Sequence, residues 1–158
     1  MPDPNAASAS LVARALNFAS LFHGSQVDKG GQPYIWHPIA VALSARAAGY
    51  SVDHQVAAIL HDVVEDTEAT LDLVRRAFGD VVAEVVDALT RREGDGETYR
   101  DYVKRCALHP VARVVKFYDV IHNTDPARVH PDHPNSRYSW TFEFLASEYG
   151  LKVVGPTA

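Results

Sequence analysis

Apolar residues along the chain recur at spacings of three and four, the period of helices that bury one face. Leu11, Ala15, Phe18 and Phe22 make the first stripe, widened by Val12 and Leu16, and His23-Gly24 closes it with the residue type that best accepts a left-handed stop. Ser8 or Ser10 is the expected cap, so residues 1–7, with two prolines, are expected to fray. The segment SQVDKGGQPYIWHP has two glycines, two prolines and no period, and predicts a loop. Pro38 should open a second helix running to about Ala48, with His37 just outside it, because a residue before proline is pushed toward extended backbone. Asp53 is the expected cap of a third helix that runs on through AAILHDVVEDT.

Thr70 should cap a short helix from Leu71 to Phe78, with Leu71, Val74 and Phe78 inward. After Gly79, VVAEVVDALT reads as a buried helix to about Thr90. RREGDGE (residues 91–97) is the most polar stretch, expected as an exposed connection and the natural place for a lid. Further helices are expected from Glu97 to Leu108, through VARVVKFYDVIHNT after Pro110, and from Ser136 to Tyr149, followed by a tail at 151–158. There is no internal repeat and no strand alternation. The expectation is a single all-α domain over residues 1–158, a bundle of about seven or eight helices.

Composition narrows the class. A chain of 158 residues, 47% apolar and 22% charged, is an ordinary globular chain with enough length for one core. A net charge of -5 and the lack of a basic run argue against nucleic-acid and membrane-surface partners. No apolar segment is long enough to span a bilayer, and MPDPNAASAS lacks a signal-peptide layout, so the expected location is cytoplasmic. The lone Cys106 excludes an internal disulfide and a cysteine-cluster zinc site, and its helical neighbours make it a core thiol.

The chemistry concentrates in His61-Asp62-Val63-Val64-Glu65-Asp66, preceded by apolar Ala57, Ala58, Ile59 and Leu60. On a continuous helix His61 stacks on Glu65 and Asp62 on Asp66, giving one wall with an imidazole and three carboxylates. Carboxylates crowded beside a core repel one another and lose hydration, and a divalent cation is the simplest compensation. His37 and Asp119 are the other ionisable residues set in apolar company. Together with His61 and Asp62 they make a mixed N/O ligand set suited to Mn, Fe, Zn, Ni or Co, and softness does not choose among these. Their separations of 24 and 57 residues require helices to converge.

Four landmarks, HGSQVDKGGQPYIWHPIAVA, AAILHDVVEDT, FGDVVAEVVDALT and VVKFYDVIHN, occur in an order that resembles the hydrolase domain of the RelA/SpoT family. That family lies within the HD superfamily of metal-dependent phosphohydrolases. The match runs from about Leu16 to Arg128, and the length is similar to the small stand-alone hydrolases, with no synthetase region expected. The resemblance implies metal ligands at His37, His61, Asp62 and Asp119, usually around Mn²⁺. It implies that Glu65 and Asp66 handle the attacking water, that Asn123 helps position ribose or phosphates, and that Lys29 belongs to the nucleotide-binding loop. The implied reaction removes the 3′-pyrophosphate of guanosine tetra- or pentaphosphate (ppGpp or pppGpp), giving pyrophosphate and GDP or GTP.

Three departures bear on the substrate. Asp28 stands where the family usually has a basic residue, Phe117-Tyr118 replaces Leu-Ala, and Val120 replaces Arg or Lys. Arg128 and Arg137 are candidate compensating cations near the phosphates. Asp28 and Val120 motivate one alternative, another nucleotide such as NADPH attacked at its 2′-phosphate or a nucleoside phosphate; a second alternative, of another class, is a catalytically weak nucleotide-binding module, against which the intact ligand and Glu-Asp set argues.

Overall fold

A computed structural model describes residues 4–126 and 136–154. Its helices, in chain order, are α1 (Pro4–His23), α2 (Trp36–Ala47), α3 (Val52–Leu60), α4 (Val63–Asp66), α5 (Leu71–Phe78), α6 (Asp80–Leu89), α7 (Tyr99–Leu108), α8 (Pro110–Asn123) and α9 (Ser136–Tyr149). A 3-10 turn at Glu93–Asp95 joins α6 to α7. The described residues form an all-α bundle in which α4 is a single turn. No helix among them is long and apolar enough to cross a membrane.

The bundle is organised around its two most deeply buried helices. Val56 through Leu60 of α3 are all buried, and so is the run from Val114 to Val120 of α8. A helix buried on nearly every side must be surrounded by other helices, and the Lys116 and Asp119 that α8 buries pair with each other. Accordingly α3 packs on α1, α2, α6 and α8, while α8 also meets α2, α6, α7 and α9. Full burial of a side chain such as Leu60 is worth about 2 kcal/mol. The segments that carry the candidate ligands are thus built into the middle of the core.

Local signals set the ends of these helices. Thr70 Oγ1 accepts from the Leu73 N–H at 3.2 Å, as expected of a cap, and Gly24 ends α1 at φ 48°. Three boundaries in the first half of the chain differ from the sequence reading, and in the second half α7 begins at Tyr99 behind a Thr98 cap rather than at Glu97. α1 begins at Pro4, so residues 4–7 are helical rather than frayed; proline is tolerated in a first turn because its missing N–H has no helical partner there. Ser51 rather than Asp53 occupies the cap position of α3, which leaves Asp53 in the first turn where the helix dipole favours an acid. α2 starts at Trp36 and includes His37, again because Pro38 falls within the first turn.

The largest departure lies in the central motif. α3 stops at Leu60, His61 and Asp62 form a turn, and the helix resumes only for Val63–Asp66. Asp62 sits at φ -100°, ψ -4°, the sparsely occupied region where active-site residues are often found. The single stacked wall of one imidazole and three carboxylates is therefore broken, and its members are redirected.

Candidate active site

His37 from α2, His61 and Asp62 from the α3–α4 turn, and Asp119 from α8 converge at the core's edge. His37 and His61 are each 2% exposed and Asp119 4%. His37 Nε2 lies 3.1 Å from Asp119 Oδ1 and 3.5 Å from Asp62 Oδ2. His61 Nε2 lies 2.9 Å from Asp62 Oδ2 and 3.7 Å from Asp119 Oδ1. One ligand atom from each of His37, His61 and Asp62 fits within a 4.8 Å span, a spacing able to hold a metal ion.

Each candidate ligand has a further partner outside the cluster, as metal ligands generally do. His61 Nδ1 lies 2.7 Å from the Ala58 carbonyl, which can only accept, so Nδ1 carries the proton and Nε2 faces the cluster. That Nε2 is buried and, although 2.9 Å from Asp62 Oδ2, makes no well-aligned hydrogen bond among the described residues. Burial opposes a charged imidazole, yet the Asp62 and Asp119 carboxylates outweigh it and raise the His61 pKa. The space between these atoms therefore calls for positive charge, and the donor set fits a divalent ion. His37 Nδ1 meets His122 Nδ1 at 2.7 Å. Asp119 Oδ2 accepts from Lys116 Nζ at 2.8 Å, and its Oδ1 accepts from Asn123 Nδ2 at 2.6 Å. Burial alone would raise the Asp119 carboxyl, but Lys116 and the two histidines hold it well below the usual range. The Tyr34 hydroxyl donates to Asp62 Oδ2. Burial and the adjoining Asp62 charge raise its pKa far beyond the ordinary value, so it remains a donor.

A pocket of about 450 Å³ opens from this cluster. Asp62, Asp119, Glu65 and Asp66 line its acidic side, with Lys29, Arg91, Lys116 and Arg137 as cations around the rest. Burial pushes the Glu65 carboxyl up, against the pull of the Arg91 N–H that donates to its Oε2 at 2.8 Å. Burial and then the Asp62 charge raise Asp66. Arg137 lies over the Tyr99 ring at 5.1 Å and Lys116 reaches the same ring at 5.6 Å. Asn123 and exposed Lys29 also line the pocket. Arg128 lies outside the described residues.

The sequence departures fall differently than expected. Phe117 is stacked on Phe142 at 5.2 Å, Tyr118 is buried beside Tyr50, and Val120 is fully buried; none of the three lines the pocket. The helical period explains this: Lys116, Asp119 and Asn123 share the pocket face, and the intervening positions turn into the core. Asp28 does line the pocket, but its Oδ1 accepts from the Gly30 and Gln32 N–H groups at 2.9 Å each, so this oxygen is used to shape the loop. Tyr34 and the backbone N–H of Arg91 are site groups that the sequence reading did not single out. Tyr34 precedes His37 by one turn's spacing, a usable hint, whereas a backbone N–H has no sequence signal.

The HD domain family model matches residues 15–106, and the chain belongs to the HD-domain family. A protein of Aquifex aeolicus named guanosine-3′,5′-bis(diphosphate) 3′-pyrophosphohydrolase is 35% identical over 118 residues, covering 71% of this chain and 17% of that protein. The bifunctional (p)ppGpp synthase/hydrolase RelA of Mycobacterium tuberculosis is 36% identical over 159 residues, covering 96% of this chain and 20% of that protein. The chain thus spans about a fifth or less of the length of the curated relatives it matches. A solved structure described as a metazoan ortholog of SpoT that hydrolyzes ppGpp has a TM-score of 0.64 at 20% identity, covering 96% of this chain and 99% of that one. At that identity it establishes the shared fold.

Proposed function

We propose that this chain is a metal-dependent phosphohydrolase that removes the 3′-pyrophosphate of ppGpp or pppGpp, with Mn²⁺ held by His37, His61, Asp62 and Asp119. The observation that carries the reading is the convergence, in one pocket, of this ligand cluster with the Glu65-Asp66 pair and a set of cations. The reaction named for the Aquifex aeolicus relative supports the choice of substrate.

A divalent ion, when bound, supplies Lewis-acid polarisation of a phosphoryl oxygen and makes a neighbouring water more acidic. The chain's own residues do the rest. Glu65 takes the proton of the attacking water as its oxygen adds to phosphorus. The bond from that phosphorus to the ribose 3′ oxygen breaks, and Asp66, whose carboxyl is pushed up by burial and the Asp62 charge, gives a proton to the ribose oxygen. Lys29, Arg137 and Asn123 hold phosphate and ribose oxygens by charge-assisted hydrogen bonds. The NADPH alternative rests on Asp28 and Val120, of which Val120 is buried in the core and Asp28 is engaged by its own loop. The alarmone is therefore the preferred substrate.

The test is pyrophosphate release from ppGpp by Mn²⁺-loaded protein, beside a chelated control. Metal-dependent release is expected. Metal-loaded protein that releases nothing overturns the substrate assignment, and nucleotide binding without turnover points to the binding module instead.

A further inference from the structure

Residues 91–97, the stretch whose composition suggests a lid, are tied down from two sides. Arg105 of α7 places its Nε 2.6 Å from Glu97 Oε1 and its Nη2 2.9 Å from Glu97 Oε2. The same guanidinium donates to the carbonyls of Asp87 at 3.2 Å, Ala88 at 3.3 Å and Thr90 at 2.8 Å. Those carbonyls close the C-terminal end of α6, where helical acceptors lack intrahelical partners. Glu97 Oε2 also accepts from the Arg92 N–H at 2.9 Å. Residues 90 and 92 are thus both fixed to one ion pair. The group between them is the Arg91 N–H, which donates to Glu65 Oε2 at 2.8 Å across 26 residues of sequence.

We propose that the Glu97–Arg105 pair is a positioning clamp for Glu65, acting through the Arg91 backbone N–H; this rests on the reading of Glu65 as the group that handles the attacking water. Glu97 and Arg105 do not line the pocket and neither reaches the metal cluster. The pair is well shielded, with side chains 13% and 23% exposed. A guanidinium is needed because only its planar fork can span a carboxylate and several carbonyls at once; lysine keeps the charge and loses the fork. Residues 91–97 then act as a strut. A shift of about 1 Å at the Arg91 nitrogen releases Glu65, and misplacement on that scale can cost about 100-fold in rate.

The experiment compares Arg105→Lys and Glu97→Gln with the parent protein, each alone and combined with Glu65→Gln, in single turnovers of ppGpp under excess Mn²⁺-loaded enzyme. Arg91→Pro and Arg91→Ala are measured alongside. Proline deletes the N–H, and the extended backbone of Thr90 (φ -90°, ψ 122°) suits the residue before it; alanine keeps the N–H. Calorimetry of Mn²⁺ binding and far-UV circular dichroism show which variants are folded and loaded, and any that are not are set aside in favour of the others. Expected are a rate loss of about tenfold or more in Arg105→Lys and Glu97→Gln with KM and Mn²⁺ affinity within about twofold, and a larger loss in Arg91→Pro than in Arg91→Ala. In the Glu65→Gln background the clamp substitutions should change the rate less than about twofold, because coupled residues are non-additive. Unchanged rates, equal losses with and without Glu65, or losses that track metal affinity overturn the clamp. Full turnover by Glu65→Gln alone overturns instead the role of Glu65 on which the clamp rests.

Discussion

The two ends of the pocket are built by different means. The inner end, His37, His61, Asp62 and Asp119, comes from helices and a tight turn inside the core, and each of these side chains is held by a further partner. The outer end is presented by the loop carrying Lys29, by the strut at Arg91 and by Arg137 at the start of α9, on more exposed backbone. Burial raises the cost of an unpaired charge at the inner end and so makes geometry strict there. The outer end is paid for in side-chain entropy, in a solvent that screens its charges. On the proposed reading, the metal chemistry is held rigidly, while substrate choice rests on residues that can change at little cost to the fold.

Breaking the inner end should have the largest effect. Asp62→Ala should lower Mn²⁺ affinity by more than about 100-fold and abolish turnover with it, since even partners behind a ligand are worth 10–100-fold. Calorimetry on folded protein checks this, and full Mn²⁺ affinity in the variant would remove Asp62 from the ligand set. At the boundary between the ends, Glu65→Gln should keep Mn²⁺ and lose about 10²–10⁴-fold in turnover, the usual weight of a general base. At the outer end Lys29→Ala should raise KM about tenfold and leave kcat and metal affinity near the parent values, because it deletes one charge-assisted contact with substrate. A fall in kcat without a change in KM would contradict the division.

The smallest effect is on stability against pH. Hydrogen bonds from Arg105, ahead of the opposing effect of burial, hold the Glu97 carboxyl at about 2 rather than its ordinary 4.5. A group depressed in the folded state contributes stability above its unfolded pKa and loses it as pH falls through the folded value. The stability gap between parent and Glu97→Gln should therefore be full at neutral pH and narrow between about pH 4.5 and 2. Denaturant titrations at a series of pH values measure it; a constant gap would mean that Glu97 acts by shape alone. Cys106 offers no such handle in this range, since burial pushes its thiol up to about 12.

Much of this protein was legible one residue at a time. Helix positions follow from apolar period and from caps such as Thr70 and Gly24, which act within a few residues of chain. The ligand candidates stood out because His37, His61, Asp62 and Asp119 are polar residues in apolar company, and that contrast is itself a sequence property. The tertiary structure alone decided the break at His61-Asp62, since a continuous helix and an interrupted one share the same local pattern. It also decided that Phe117, Tyr118 and Val120 turn away from the pocket while Lys116, Asp119 and Asn123 face it, because the helical period orders the faces of α8 without saying which neighbour each one meets. The hydrogen bond from Arg91 to Glu65 is the clearest case: every residue has the same backbone N–H, and only packing across 26 residues brings this one to a carboxylate.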